Sequence, residues 1–221
     1  MSIKYIFSLK SVTDFIYMFL SNIVKKGLGF LREIILAFFF GSSIMYANYL
    51  LLKTVSDFFS QLTSGNALQA NLMPKFAKLY RKEASIDLSK AFNFSKYFSL
   101  KLFLLSQIIQ IPMIWYINPE RIEIYVVLSV LLGVVMSVNF FNSVFLTILQ
   151  AKGKFKQHSV ATTLNLSVST VLLYPFTLLF GIIGVVLSRL SGAITLALIY
   201  VKPLLAEKGD VRANLSLSDF N

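Results

Sequence analysis

The chain has 221 residues, of which 56% are hydrophobic, with a formal net charge of +11 and a mean hydropathy of +0.71. This apolar fraction exceeds what the core of a soluble domain needs, so the composition indicates a membrane protein. The absence of cysteine excludes disulfides, thiolate metal sites and cysteine nucleophiles. Phosphate-binding glycine loops and the motifs of zinc proteases and serine hydrolases are also missing. We therefore expect neither an enzyme nor a bound cofactor or metal.

Charge clusters, glycines and prolines divide the chain into apolar stretches of about 20 residues, the length of a transmembrane helix. The predicted spans cover residues 15–40, 44–63, 97–117, 124–150, 159–180 and 182–205. A basic amphipathic stretch between the second and third spans is predicted to lie at the membrane surface. The sequence thus predicts an all-α membrane protein, in which residues 1–221 form a single six-helix transmembrane bundle.

The lysines and arginines outside these spans lie almost entirely on one side of the predicted topology. The opposite side carries only Arg121. Because cytoplasmic loops carry the excess of positive charge, both termini are predicted to be cytoplasmic. The same rule explains the net charge without a nucleic-acid partner, which would require a basic cluster on one face of a soluble domain.

The first predicted span contains charged residues where a bilayer disfavours them. Arg32 and Glu33 lie inside the otherwise apolar run 29–41, and Lys25 and Lys26 precede it. A charged side chain at the centre of a membrane helix costs roughly 2.5–3.5 kcal/mol on insertion scales, so it usually faces a partner or a watery cavity. Since adjacent residues point about 100° apart on a helix, Arg32 and Glu33 are expected to find partners on neighbouring helices.

Two further spans also carry charge. Lys53 and Asp57 lie four residues apart on the second span, a spacing that allows them to pair and neutralise one another. In the sixth span, Arg189 lies among Gly184, Ser188 and Gly192, whose small-xxx-small spacing lets a neighbouring helix approach closely. The cations that packing alone does not justify are interpreted as a substrate-binding set: Lys25, Lys26, Arg32 and Arg189.

Polar residues follow helical spacing on the fourth and fifth spans. The two polar stripes are Asn139, Ser143, Thr147 and Gln150, and Thr162, Asn165 and Ser169. Such stripes either form interhelical hydrogen bonds, worth about 0.6 kcal/mol each, or line a hydrated cavity. Both interpretations fit the sequence, and in the second Asn139 and Asn165 are cavity residues.

Several segments of the chain resemble one known family. Residues 27–33, Gly-Leu-Gly-Phe-Leu-Arg-Glu, followed by Leu-Ala-Phe-Phe-Phe-Gly at 36–41, are similar to the first helix of MviN/MurJ lipid II flippases. In that helix a G-F-x-R-[DE] element precedes an F-G turn. Residues 148–155, 181–184 and 192–205 resemble the fourth to sixth helices of the same family, in the same order.

This resemblance implies the N-terminal lobe of a two-lobed inner-membrane transporter of the multidrug/oligosaccharidyl-lipid/polysaccharide superfamily. Such a flippase moves a polyprenyl-diphosphate-linked saccharide, either a cell-wall precursor or a polysaccharide repeat unit, across the bacterial cytoplasmic membrane by alternating access. Its cavity cations would hold the diphosphate. Lys26 and Arg32 match two arginines of the family. Because the chain corresponds to one lobe, the resemblance also implies a second lobe, either another copy or a separately encoded half.

The chain departs from the family at other positions. Ala47 falls where the family has an acidic residue, and Ser60 and Gln61 fall where it has paired arginines. Because of these departures, a related glycan flippase of the Wzx type stays an alternative to a lipid II flippase. Two alternatives also remain. One is a cation-coupled small-molecule or drug antiporter of the same superfamily, with Asp57 or Glu33 as its proton or sodium site, and the other is a truncated membrane subunit without transport activity.

Overall fold

A computed structural model describes residues 9–64, 72–78, 88–117 and 122–201 of the chain. Within these ranges the backbone forms helices joined by short turns, without any β-strand. The helices are α1 (Leu9–Phe40), α2 (Ile44–Ser64), α3 (residues 72–78), α4 (Leu88–Ile117), α5 (Ile122–Ala151), α6 (Phe155–Val171), α7 (Leu173–Phe180) and α8 (Ile182–Leu196), and a π-helical turn over Ala197–Val201 follows. The predicted all-α class is confirmed.

Four helical segments of the described chain are long and apolar enough to cross a membrane. They are Ala91–Tyr116, Ile122–Ala151, Phe155–Phe180 and Ile182–Tyr200. These segments correspond to the third to sixth predicted spans, and the fifth is built from α6 and α7, which meet at Leu172. The predicted end of the sixth span, at residue 205, lies outside the described residues.

The first two predicted spans are helices of 32 and 21 residues, but neither contains a stretch as long and apolar as those of the other four. The physical reason is their charge: four ionisable residues lie within 25–33 of α1, and Lys53 and Asp57 interrupt α2. The count of six apolar spans therefore differs from the four apolar helices found, and α1 and α2 stay predicted spans. Phe15, Phe30 and Phe38 on α1 are 68%, 71% and 79% exposed, an apolar surface suited to lipid or to another membrane helix.

The helices pack as two groups that share α5 and α8. α1 lies mainly along α6, whereas α2 packs against α5 and α4. α8 contacts α5, α6 and α7 and occupies the middle of the bundle. Gly41 ends α1 with a positive φ of 49°, which a glycine adopts without strain, and the next helix begins at Ile44. Beyond this turn α1 follows α6, and α2 follows α5 and α4.

Two glycines of α8 allow the close helix approach that their spacing predicts. A Cβ atom at Gly192 would collide with the backbone oxygen of Asn165 on α6. A Cβ atom at Gly184 would collide with the backbone oxygen of Phe176 on α7. The predicted close approach is confirmed, and it fixes the height of Arg189, which lies between these two contacts.

A buried polar network joins α2, α4 and α5. Gln110 Nε2 donates to the Leu52 carbonyl oxygen at 3.0 Å and to Ser56 Oγ at 2.7 Å. Ser129 Oγ lies 2.6 Å from Gln110 Oε1 and 2.9 Å from Gln107 Oε1. Gln107 Nε2 in turn donates to the Ser129 carbonyl oxygen at 3.2 Å. Both glutamine amides are thus bonded through nitrogen and oxygen, and α2 is held firmly against α4 and α5.

Candidate functional site

A cavity of about 260 Å³ lies between α1, α2, α5, α6 and α8. Its polar lining residues are Arg32, Glu33, Tyr46, Tyr49, Lys53, Asn139, Thr162, Asn165, Ser169 and Arg189. Asn139, Asn165 and Arg189 lie near the middle of three of the apolar segments, so the cavity is at mid-depth in the bundle. At ~30 Å³ per water molecule, it has room for roughly eight waters.

Arg32 is the most buried charged residue of the cavity. It lies on α1 and is only 9% exposed. Its Nη1 atom is 3.5 Å from Ser169 Oγ on α6, and its buried Nη2 atom has no hydrogen-bond partner among the described residues. No described carboxylate lies within ion-pairing distance of this guanidinium. A buried polar group without a partner costs about 1–3 kcal/mol, and more when it is charged, so a hydrogen-bond acceptor that reached Nη2 would stabilise Arg32.

Arg189 on α8 faces the same cavity and is weakly paired. Its Nη2 atom lies 3.9 Å from Asp57 Oδ1, beyond hydrogen-bond distance. Asp57 is held instead by Lys53, one turn earlier on α2, whose Nζ lies 2.7 Å from Asp57 Oδ2. The expected i,i+4 pair between Lys53 and Asp57 is therefore present, and Arg189 shares the same carboxylate at a longer distance.

The cavity carries an excess of positive charge. Its lining contains Arg32, Arg189 and Lys53 but only one carboxylate, Glu33. Glu33 is exposed and lies on the face of α1 next to Arg32, as the helical rotation predicts. Even when Asp57 is counted, the cations of the site outnumber its carboxylates. Such a cavity favours an anionic ligand.

The other two predicted cations lie in different places. Lys25 Nζ is 3.4 Å from Thr162 Oγ1, and Thr162 lines the cavity, so Lys25 lies at its edge. Lys26 is exposed and is not among the lining residues. The reason is geometric, because consecutive residues of α1 cannot both face α6. Of the predicted cation set, the structure places Arg32 and Arg189 in the cavity, Lys25 beside it and Lys26 outside it.

The two polar stripes have different environments. All three stripe residues of α6, Thr162, Asn165 and Ser169, line the cavity. On α5 only Asn139 does so. Further along α5, Thr147 donates to the carbonyl oxygen of its own helix one turn earlier at 2.8 Å, and Gln150 Nε2 lies 3.0 Å from the ring of His158. The α6 stripe therefore belongs to the cavity, and most of the α5 stripe belongs to the packing.

Sequence reasoning missed the tyrosines of the site. Tyr46 and Tyr49 line the cavity from α2, where they share a helix face with Lys53. Their positions seven and four residues before Lys53 are the signal that would have found them. Among the described residues, no group of His, Cys, Asp and Glu side chains has the arrangement of a metal site.

Comparisons with known proteins give one structural likeness. No model of a protein family matches the sequence, and no curated protein matches it either. The structure is similar to a solved MOP superfamily transporter from Pyrococcus furiosus, described as having a binding pocket of reversed polarity that suggests a different function. The likeness has a TM-score of 0.46 and 17% sequence identity and covers 96% of this chain. This chain spans 44% of the length of that transporter.

Proposed function

We propose that the cavity binds the diphosphate of a polyprenyl-linked saccharide and that this chain is one lobe of a flippase or exporter, not an enzyme. The observation that carries the proposal is Arg32, a buried guanidinium whose Nη2 lacks a partner and which borders a cavity with excess positive charge. Guanidinium groups bind phosphate oxygens through two parallel hydrogen bonds. A phosphate oxygen near Nη2 would satisfy the group that the described residues leave unpaired.

The size of the cavity supports an anionic head group as the ligand. Its volume of about 260 Å³ is slightly below the ~300 Å³ at which pockets for drug-sized ligands begin. A diphosphate fits this space, whereas a saccharide and a polyprenyl chain would have to lie outside it. The cavity would therefore recognise the charged part of the substrate that is common to many lipid-linked sugars.

Exposed apolar side chains beside the cavity support a substrate that carries a lipid tail. Phe30 and Ile34 on α1 and Leu50 and Leu51 on α2 are exposed near the charged residues of the cavity. An apolar chain can lie against this surface in the bilayer while its diphosphate reaches Arg32.

The second lobe remains part of the proposal. Alternating access requires two bodies that rock about a central site, and such sites lie at the interface of the repeats. We assign the second body to another copy of this chain or to a separately encoded half. The proposed location is the bacterial cytoplasmic membrane, with both termini in the cytoplasm.

Transport in vesicles tests this function. The chain, with its second lobe where one is encoded, is reconstituted with a fluorescent polyprenyl-diphosphate-linked sugar, and its exposure to an impermeant quencher is followed. Arg32→Gln should abolish movement while the protein still inserts and folds. Lys26→Gln is the matched control, since it removes one nearby cation from outside the cavity and should leave transport unchanged. Equal transport by wild type and Arg32→Gln would contradict the proposal.

One observation favours the antiporter as a second candidate. Glu33 is a carboxylate that lines the cavity, as a proton or sodium site would require. Asp57 suits that role less, because Lys53 already binds it at 2.7 Å and it is not among the lining residues of the cavity. Dye efflux that collapses with the proton gradient and is lost in Glu33→Gln would favour the antiporter. If the protein supports neither dye efflux nor lipid movement, the result would favour a subunit without transport activity.

A further inference from the structure

Asp57 is held by two cations at unequal distances. The 2.7 Å contact with Lys53 Nζ is a full charge-assisted hydrogen bond. The 3.9 Å contact with Arg189 Nη2 is too long for a hydrogen bond, although it lies within ion-pairing distance. Lys53 is therefore the primary partner of this carboxylate, and Arg189 is attracted to it only by charge.

This inequality makes Arg189 free to move at small cost. If Arg189 turns away, Asp57 keeps its short bond to Lys53 and is not left as an unpaired charge. Arg189, by contrast, has no other described carboxylate within ion-pairing distance. An anion in the cavity would offer it a hydrogen bond that Asp57 does not provide. Breaking a buried ion pair is costly when it leaves one charge without a partner. Here neither Asp57 nor Arg189 would be left without one.

We propose that Asp57 is a built-in counter-ion, from which Arg189 turns to a phosphate oxygen when the diphosphate binds and to which it returns when the diphosphate leaves. This inference rests on the proposed function and extends it to the release step. Asp57 acts through Arg189 and does not touch the substrate, so it is a positioning residue. Its charge competes with the substrate and keeps binding weak enough to be reversed.

The position of the residues supports this exchange. Arg189 and Lys53 both line the cavity, whereas Asp57 contacts both of them without lining it. The three residues also connect α8 with α2, two helices that make little other contact. The exchange would therefore loosen one of the few links between these helices when the site is filled.

Titration with inorganic diphosphate tests the inference on the full chain in lipid nanodiscs. Asp57→Asn keeps the shape of the side chain and removes the competing charge, so the Kd should fall by about tenfold. Asp57→Glu lengthens the side chain toward Arg189 and should raise the Kd. The two variants therefore move the Kd in opposite directions, and each tests the inference if the other fails to fold.

A double-mutant cycle separates exchange from a general change in charge. In an Arg189→Gln background, the gain from Asp57→Asn should shrink from about tenfold to about threefold or less, because only the gain from the released Lys53 is left. Glu33→Gln is the matched control, since it removes one carboxylate from the cavity lining, and its effect should persist in that background.

Three results would overturn the inference. The first is an unchanged Kd in Asp57→Asn, and the second is a gain from Asp57→Asn that keeps its full size without Arg189. In both cases the proposed function stands if Arg32→Gln still abolishes binding. The third result, no binding of diphosphate by wild type or by Asp57→Asn, would overturn the inference and the proposed function together.

Discussion

Two buried polar regions of this bundle differ in how completely they are paired. Between α2, α4 and α5, the amides of Gln107 and Gln110 find partners through both their nitrogen and oxygen atoms. Across the cavity, Arg32 keeps a buried Nη2 atom without any partner in the described chain. Complete pairing rigidifies a core, whereas incomplete pairing raises the energy of the empty state until a ligand arrives. The comparison separates a structural use of buried polarity from a functional one.

The largest effect should come from removing the unpaired cation. Arg32→Gln is expected to weaken binding of inorganic diphosphate by about 100-fold or more, since a hydrogen bond to a charged group is worth about 1.5–3 kcal/mol and the charge is also lost. Isothermal titration in nanodiscs measures the Kd. The control is Arg32→Lys, which keeps the charge but loses the paired hydrogen bonds of a guanidinium. Its Kd should lie between those of wild type and Arg32→Gln.

Replacing Arg32 by an apolar residue should stabilise the folded protein, although it removes the binding site. Arg32→Leu replaces a buried charge without an ion-pair partner by an apolar side chain, so the free energy of unfolding should rise by about 1–3 kcal/mol. Reversible unfolding in mixed micelles measures the difference. A clear loss of stability in Arg32→Leu would show that Arg32 has a structural partner and would contradict the comparison.

The paired region should show the opposite behaviour. Gln110→Leu has nearly the same volume but removes bonds to Leu52, Ser56 and Ser129. At about 0.6 kcal/mol for each interhelical bond in a membrane, the loss should be about 2 kcal/mol of stability. Diphosphate binding by the folded protein should stay within about twofold of wild type. A large loss of affinity without a loss of stability would place Gln110 in the site.

The smallest effects should distinguish the two neighbouring lysines. Lys25→Gln removes a cation at the edge of the cavity and should weaken diphosphate binding by about threefold at low salt, an effect that 0.5 M salt should suppress. Lys26→Gln removes a cation outside the cavity and should leave the Kd unchanged at both salt concentrations. Equal effects of the two substitutions would mean that long-range charge, not position, determines binding.

Much of the cavity was predictable, because charge inside an apolar stretch is a strong signal. Arg32 and Arg189 were both singled out on this ground, and both line the cavity. The Lys53–Asp57 pair followed from a spacing of four residues on one helix. These predictions depend on helix periodicity and on the cost of charge in lipid, which do not require knowledge of the tertiary fold.

The rest depended on how the helices are rotated, which one sequence does not determine. The sequence does not separate Lys26 from Lys25, although only one of two consecutive residues can face α6. The α5 stripe fits packing and a cavity equally well in the sequence, and the rotation of α5 places only Asn139 at the cavity. The sequence does not predict the hydrogen bonds of Gln107 and Gln110, because these glutamines on α4 find their partners only through contacts with α2 and α5.

The most direct measurement of the central claim is an experimental structure of the chain, in nanodiscs with its second lobe where one is encoded, bound to inorganic diphosphate. We expect an anion within hydrogen-bond distance of Arg32 Nη2, between α1, α2 and α6. An empty cavity at saturating diphosphate, or an Arg32 guanidinium bonded to a carboxylate of the protein, would contradict the account.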